Sequence, residues 1–155
     1  MQTVFFPVFL PFWYKAVDNK WKDFCAGLPL FDFGTQQVID ELESVTKLIA
    51  VNGNCDFDSF KTLEGFTKEF EIFNFEGLKT ALTHTPYDLE QWAKNNTAQL
   101  YIHGHTHEPY IEQKDNGEIW ICPGSASMGR YGSPNSIASL YVGKDQIIAG
   151  ELIEV

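Results

Sequence analysis

Leu100-Tyr101-Ile102-His103-Gly104-His105-Thr106-His107-Glu108-Pro109 holds three of the chain's four histidines within five residues. The apolar triplet Leu100 to Ile102 reads as a short buried strand, and Gly104 breaks it where the histidines begin. Side chains two apart in an extended segment share a face, so His105 and His107 are expected to aim at one spot just beyond the strand end. Two neutral imidazoles aimed at one point suit a divalent transition metal. A solvated polar loop is the alternative reading of an isolated His-x-His.

Two upstream apolar runs also end in side chains able to bind a metal. Leu48-Ile49-Ala50-Val51 leads into Asn52-Gly53-Asn54-Cys55-Asp56, and Leu78 to Thr83 leads into His84. Sites in open α/β sheets are built where strands end at their carboxyl termini. Three such ends therefore carry Asn54, His84 and the pair His105 and His107, a mixed oxygen and nitrogen set.

Gly-Asn-Cys-Asp (53 to 56), Leu-Thr-His-Thr (82 to 85), Gly-His-Thr-His-Glu-Pro (104 to 109) and Cys-Pro-Gly-Ser-Ala-Ser (122 to 127) occur in that order, each after a strand-like run. The series resembles the calcineurin-like metallophosphoesterase superfamily. Within it, the chain is most similar to the small YfcE-like phosphodiesterase branch, whose fold a retromer scaffold subunit shares. The likeness covers about residues 31 to 142. It implies an α/β fold, a four-layer αββα sandwich of two mixed β-sheets flanked by helices, and a single domain over 1 to 155 with residues 1 to 30 atypical.

Composition agrees with one globular domain: 155 residues suffice for a core, and 44% hydrophobic with 21% charged residues is ordinary. A net charge of −10 argues against general nucleic-acid binding. Three cysteines, Cys25, Cys55 and Cys122, make no paired framework and suggest a reducing, cytoplasmic setting. No apolar stretch is long enough to span a bilayer, so no membrane partner is expected. The oligomeric state is left open, a homo-oligomer included.

Along the chain, Thr3 to Phe12 is strand-like, but Pro7 and Pro11 disfavour a central position in a sheet. Tyr14 to Phe24 carries a loose helical pattern. A second helix, with Thr35 as N-cap and Val38, Ile39, Leu42 and Val45 on one face, leads to the Leu48 run and forms a βαβ-type unit. Phe57 to Lys68 reads as loop. Glu69 to Phe75 alternates as a half-exposed strand and turns at Glu76-Gly77 into the Leu78 strand. Thr85-Pro86-Tyr87-Asp88 opens a helix with Leu89, Trp92 and Ala93 inward, stopped at Asn95-Asn96. Short strands follow at Tyr110 to Glu112, Ile119 to Ile121, Ile137 to Val142 and Ile147 to Ile153.

The resemblance implies site roles for specific residues. Asp32, in the place of the family's Gly-Asp pair but preceded by Phe31, would bridge two metals. Asn54, His84 and His105 would complete one metal's ligands and His107 would serve the other. The ion would be Mn²⁺ foremost, with Ni²⁺, Zn²⁺ or Fe²⁺ as alternatives, in one or two copies. The substrate would be a small phosphate ester, with His105, Asp56 and Cys55 as the catalytic candidates. Cys55 stands where many relatives have histidine, but it reads more readily as a small packing residue than as a catalytic group, and Asp56 more readily as a group orienting a ligand. The family's Asp-x-His, which supplies two ligands of the first metal, has no counterpart before Phe31, and no histidine precedes His84. That absence favours a one-ion site. It also keeps alive a non-catalytic interaction domain, for which Phe5, Phe6, Phe9, Phe12, Trp13 and Trp21 would form an apolar patch. A shifted reading frame upstream would produce the same loss of likeness. His103 is expected to be a core or supporting residue, Gly124-Ser125 either a loop closing on the site or a simple turn, and Arg130 either a phosphate contact or a surface side chain.

Overall fold

A computed structural model describes residues 2–7, 30–31, 40, 44, 49–54, 69–143 and 146–155. Its strands are β1 (Gln2–Pro7), β2 (Leu30–Phe31), β3 (Val51–Asn52), β4 (Phe70–Phe75), β5 (Leu78–Thr83), β6 (Leu100–Ile102), β7 (Tyr110–Gln113), β8 (Ile119–Cys122), β9 (Ser136–Gly143) and β10 (Gln146–Glu154). Among the described residues one whole helix, Pro86–Ala93, joins β5 to β6. The helix expected at Tyr14 to Phe24 and the loop expected at Phe57 to Lys68 lie outside the described residues. So does the Thr35 helix, except for Asp40 and Ser44, which are joined by a bond from the Ser44 N–H to the Asp40 carbonyl at 3.0 Å, the spacing of an α-turn.

The central sheet is mixed, in the order β4-β5-β6-β8-β7, with β5, β6 and β8 mutually parallel and a β-hairpin partner at each side. The β4–β5 hairpin closes through Glu76 and Gly77, both at positive φ (+49° and +92°), the pattern whose twist suits paired strands. Asn74 fixes it by accepting the Gly77 N–H at 2.8 Å. A second, antiparallel sheet has the order β1-β9-β10. Here β1 is an edge, the position where Pro7 is tolerated. β2 and β3 form a parallel pair, as the βαβ-type reading requires.

Alternation along the strands builds a core on each face of the central sheet. Leu78, Leu82, Leu100, Ile102 and Ile121 pack with Ala50 and Val51 of the β3 segment and with Ala138, Leu140 and Val142 of β9. Their sequence neighbours Ala81, Tyr101 and Trp120 face the other way, onto Leu89 and Trp92 of the helix. Tyr101 and Trp120 stack with ring centroids 4.5 Å apart. The Tyr101 hydroxyl is satisfied inside this layer, accepting the Ala98 N–H at 2.9 Å and donating to Glu118 at 3.2 Å. Two sheets sharing one core with a helix on the outer face is the sandwich architecture the motifs imply.

Because β5, β6 and β8 run parallel, their carboxyl ends lie along one edge. The segments leaving that edge are His84, the histidine loop and the Pro123-Gly124-Ser125 loop.

Candidate metal centre

Three side chains from three strand ends meet in the structure. His84 Nε2 stands 2.8 Å from Asn54 Oδ1 and 3.1 Å from His105 Nδ1, and His105 Nδ1 stands 3.0 Å from the same Asn54 oxygen. Backbone bonds fix the approach. The Gly104 N–H donates to the His84 carbonyl at 3.0 Å and the His103 N–H to the Ile121 carbonyl at 3.0 Å, so the histidine loop is tied to the strand ends on both sides.

Protons cannot satisfy this triangle. The amide oxygen only accepts, so its two contacts require a hydrogen on each imidazole nitrogen, which would then set two N–H groups against each other along the third edge. Removing either hydrogen sets lone pair against lone pair along an oxygen edge. A cation at the common focus of the three lone pairs resolves the conflict, and two imidazoles with an amide oxygen are a donor set that such ions accept. Neighbouring donors of an octahedral ion with bonds of about 2.1 Å stand about 3 Å apart, and those of a tetrahedral one about 3.3 Å. The observed edges are of the length that separates neighbouring ligands of one such ion. Among the described residues no three His, Cys, Asp or Glu side chains form a metal-holding group, so the triangle depends on Asn54.

The histidine loop is not extended, and the expectation that His105 and His107 share a strand face is corrected. His105 has φ +67° and His107 φ +62°. The Thr106 N–H reaches back to the Gly104 carbonyl at 2.8 Å, so His105 is the centre of a γ-turn of positive φ, a rare and strained conformation. Gly104 broke the strand earlier than the period-two argument allowed for.

Supporting contacts set the ring orientations. His107 Nδ1 lies 2.6 Å from the Met128 carbonyl, to which it must donate, leaving Nε2 as the atom with a free lone pair. His103 is buried, as expected of a supporting residue. Its Nδ1 donates to the Gly104 carbonyl at 3.0 Å, and its Nε2 accepts the Tyr110 hydroxyl at 2.5 Å. Burial pushes the His103 imidazole below its ordinary range, in keeping with a neutral ring holding that carbonyl. Burial likewise raises Tyr110 and Cys122. The loop after β8 closes on the site, since it is the Met128 carbonyl that anchors His107. Gly124, at φ +84°, permits the closure, because a Cβ there would meet Ser136 Oγ at 2.1 Å and Pro109 Cβ at 3.0 Å.

Of the sequence-derived site residues, Asn54, His84 and His105 come together and His107 is held by the closing loop. Asp32, Cys55 and Asp56 lie outside the described residues, although Asp32 directly follows β2, the parallel partner of β3. The aromatic patch from Phe5 to Trp21 has no described side chains. Sequence reasoning passed over Tyr110 and Met128, whose contacts are made by a hydroxyl on a later strand and by a backbone carbonyl, neither of which a motif records.

The family model for the calcineurin-like phosphoesterase superfamily domain matches residues 24–145. Phosphodiesterase YfcE of Escherichia coli strain K12 is 34% identical over 113 residues, covering 70% of this chain and 60% of that protein, so the chain spans less than two thirds of the curated relative's length. An archaeal phosphodiesterase structure superposes with TM-score 0.76 at 24% identity, covering 98% of this chain and all of that one. Vps29 of Entamoeba histolytica, in a complex with Zn²⁺, superposes with TM-score 0.69 at 17% identity, covering 99% of this chain and 98% of that one. With the family model matching well over half of its residues, the chain belongs to the calcineurin-like phosphoesterase superfamily.

Proposed function

We propose that this chain is a metal-dependent phosphoesterase, acting on a phosphodiester in the cytoplasm. The observation that carries the reading is the triangle of Asn54, His84 and His105, whose contacts no placement of protons satisfies. Family membership and the likeness to phosphodiesterase YfcE support it. Asn54, His84 and His105 would hold one divalent ion, with Mn²⁺ the first choice by family likeness and Asp32 as a fourth ligand. A divalent ion held there supplies Lewis-acid activation of water and of the phosphoryl oxygen.

The chain's own residues orient and restrain. The strained turn at His105 aims Nδ1 into the triangle, and His103 holds the carbonyl that closes that turn. The Met128 carbonyl fixes the His107 tautomer, so that Nε2 can serve a neighbouring position. Residues 1 to 30 carry no Asp-x-His to supply a second ion's ligands, and the proposal is accordingly of a single ion on the residues named. Asp56 would orient a ligand, and Cys55 would pack as a small apolar group.

The test is hydrolysis of bis(p-nitrophenyl) phosphate by purified protein with added Mn²⁺. Turnover that is removed by chelation and by His105→Ala supports the reading, and turnover no greater than the variant's would sink it. The competing reading, a non-catalytic interaction domain, is favoured by the missing Asp-x-His and requires neither bound metal nor turnover.

A further inference from the structure

Tyr131 is 86% exposed and has φ +54°, a combination that neither packing nor backbone preference explains. It is the second residue of a four-residue turn closed by the Ser133 N–H donating to the Arg130 carbonyl at 2.9 Å, and Gly132 follows at φ +86°. Positive φ at both central positions is a turn for which Asn-Gly is the favoured pair, and a bulky aromatic at the first is strained. Strain at a side chain that buries nothing points to a use outside the fold.

The turn lies against the candidate metal centre. Arg130, the chain's only arginine, directs Nη1 to the His105 carbonyl at 3.4 Å. The other cationic side chains among the described residues are engaged elsewhere: Lys79 over the Trp92 ring, Lys94 with Gln91 and Lys114 with Glu112. Two bonds hold the base of the loop, from the Met128 N–H to Ser125 Oγ at 3.0 Å and from the Gly129 N–H to Asn135 Oδ1 at 3.0 Å. Two more large apolar side chains stand exposed on the same segments: Met128, whose carbonyl anchors His107, and Tyr87, three residues beyond His84.

Resting on the phosphoesterase reading above, we propose that the Arg130-Tyr131 turn is the substrate grip of that site. The guanidinium takes a non-bridging phosphoryl oxygen, and the Tyr131 ring lies against a planar ring in the ester's organic group. The substrate class is then phosphate esters bearing an aromatic ring, aryl or nucleoside, rather than alkyl esters. Arginine's planar fork matches two phosphoryl oxygens, and in a chain of net charge −10 a cationic side chain beside the ion's site adds to the attraction for an anion. An exposed tyrosine offers a flat apolar face at little entropic cost, and it is tolerant of which ring it meets.

The experiment is calorimetric titration of the Mn²⁺-loaded full chain with phenyl phosphate, uridine 3′-monophosphate and methyl phosphate. Tyr131→Asn places the favoured Asn-Gly pair in the turn, so the melting temperature should hold or rise. It should weaken the two ring-bearing probes about fivefold or more and leave methyl phosphate within about twofold. The larger loss between phenyl and uridine probes identifies the natural ring. Arg130→Ala should weaken all three alike, about tenfold, with Arg130→Lys recovering part. Equal weakening of all three probes by Tyr131→Asn, or of none, overturns the proposal, as does wild-type protein that binds phenyl and methyl phosphate equally. If the wild type hydrolyses the diester but Tyr131→Asn keeps the ring preference, the grip falls and the phosphoesterase reading stands. If the wild type binds no probe and hydrolyses nothing, both fall.

Discussion

His105 meets two demands, since its Nδ1 must reach Asn54 and His84 while its backbone sits in a γ-turn that costs of order 1–3 kcal/mol. The His103 ring helps hold that turn through the Gly104 carbonyl, and Tyr110 holds the ring. Tyr110→Phe leaves His103 Nε2 buried without a donor, so unfolding in urea should show a loss of about 1–3 kcal/mol. A change within a few tenths would mean that water replaces the hydroxyl. Cys122 gives a pH-dependent test. Burial raises its thiol, so the native state keeps the proton longer than the unfolded chain does. The resulting stability is fully present below about pH 8.5 and is lost as pH rises through the raised value. Denaturation midpoints should therefore fall above pH 9 in the wild type, and fall less in Cys122→Ala. Equal slopes would contradict the burial argument.

At the scale of elements, the parts that announced themselves were those whose signal is local. The Phe70 strand shows its alternation, with Phe73 and Phe75 half-buried and Ile72 exposed. The helix shows its start, where Thr85 Oγ1 accepts the Asp88 N–H at 3.2 Å behind Pro86. Thr85→Ala should cost about 1 kcal/mol. Glu76 occupies a positive-φ hairpin position suited to asparagine, so Glu76→Asn should add about 0.5–1 kcal/mol. Thermal unfolding reads both, and a stabilising Thr85→Ala or a destabilising Glu76→Asn would contradict the cap and turn assignments. The histidine loop was legible only in part. Its composition pointed to a metal, but the orientation of His105 and His107 came from the γ-turn and from Met128, a residue 21 positions beyond His107. No periodicity encodes such a contact. Pro123-Gly124 is equally compatible with a simple turn, and it is the Met128 carbonyl on His107 that shows the loop closing on the site, with crowding against Ser136 and Pro109 requiring glycine at 124. Gly124→Ala should destabilise the protein and loosen the hold on His107.

Over the whole molecule, the parallel strands β5 and β6 end in His84 and the histidine loop, and the separate β2–β3 pair brings Asn54 to them, so that residues 21 to 51 positions apart in sequence meet beside the two-sheet core. That convergence could be anticipated from the order of the motifs, because each followed an apolar run and topology did the rest. The sequence before Phe31 offered no motif, and only its β1 strand and the Leu30–Phe31 pair bear on the described fold. The account stands on one claim, that Asn54, His84 and His105 hold a divalent ion. It is tested most directly by elemental analysis of protein incubated with Mn²⁺ and freed of unbound metal, wild type beside His105→Ala. One manganese per wild-type chain, lost in His105→Ala, is the expected result; wild-type protein that retains none, or a variant that retains as much, would overturn the assignment.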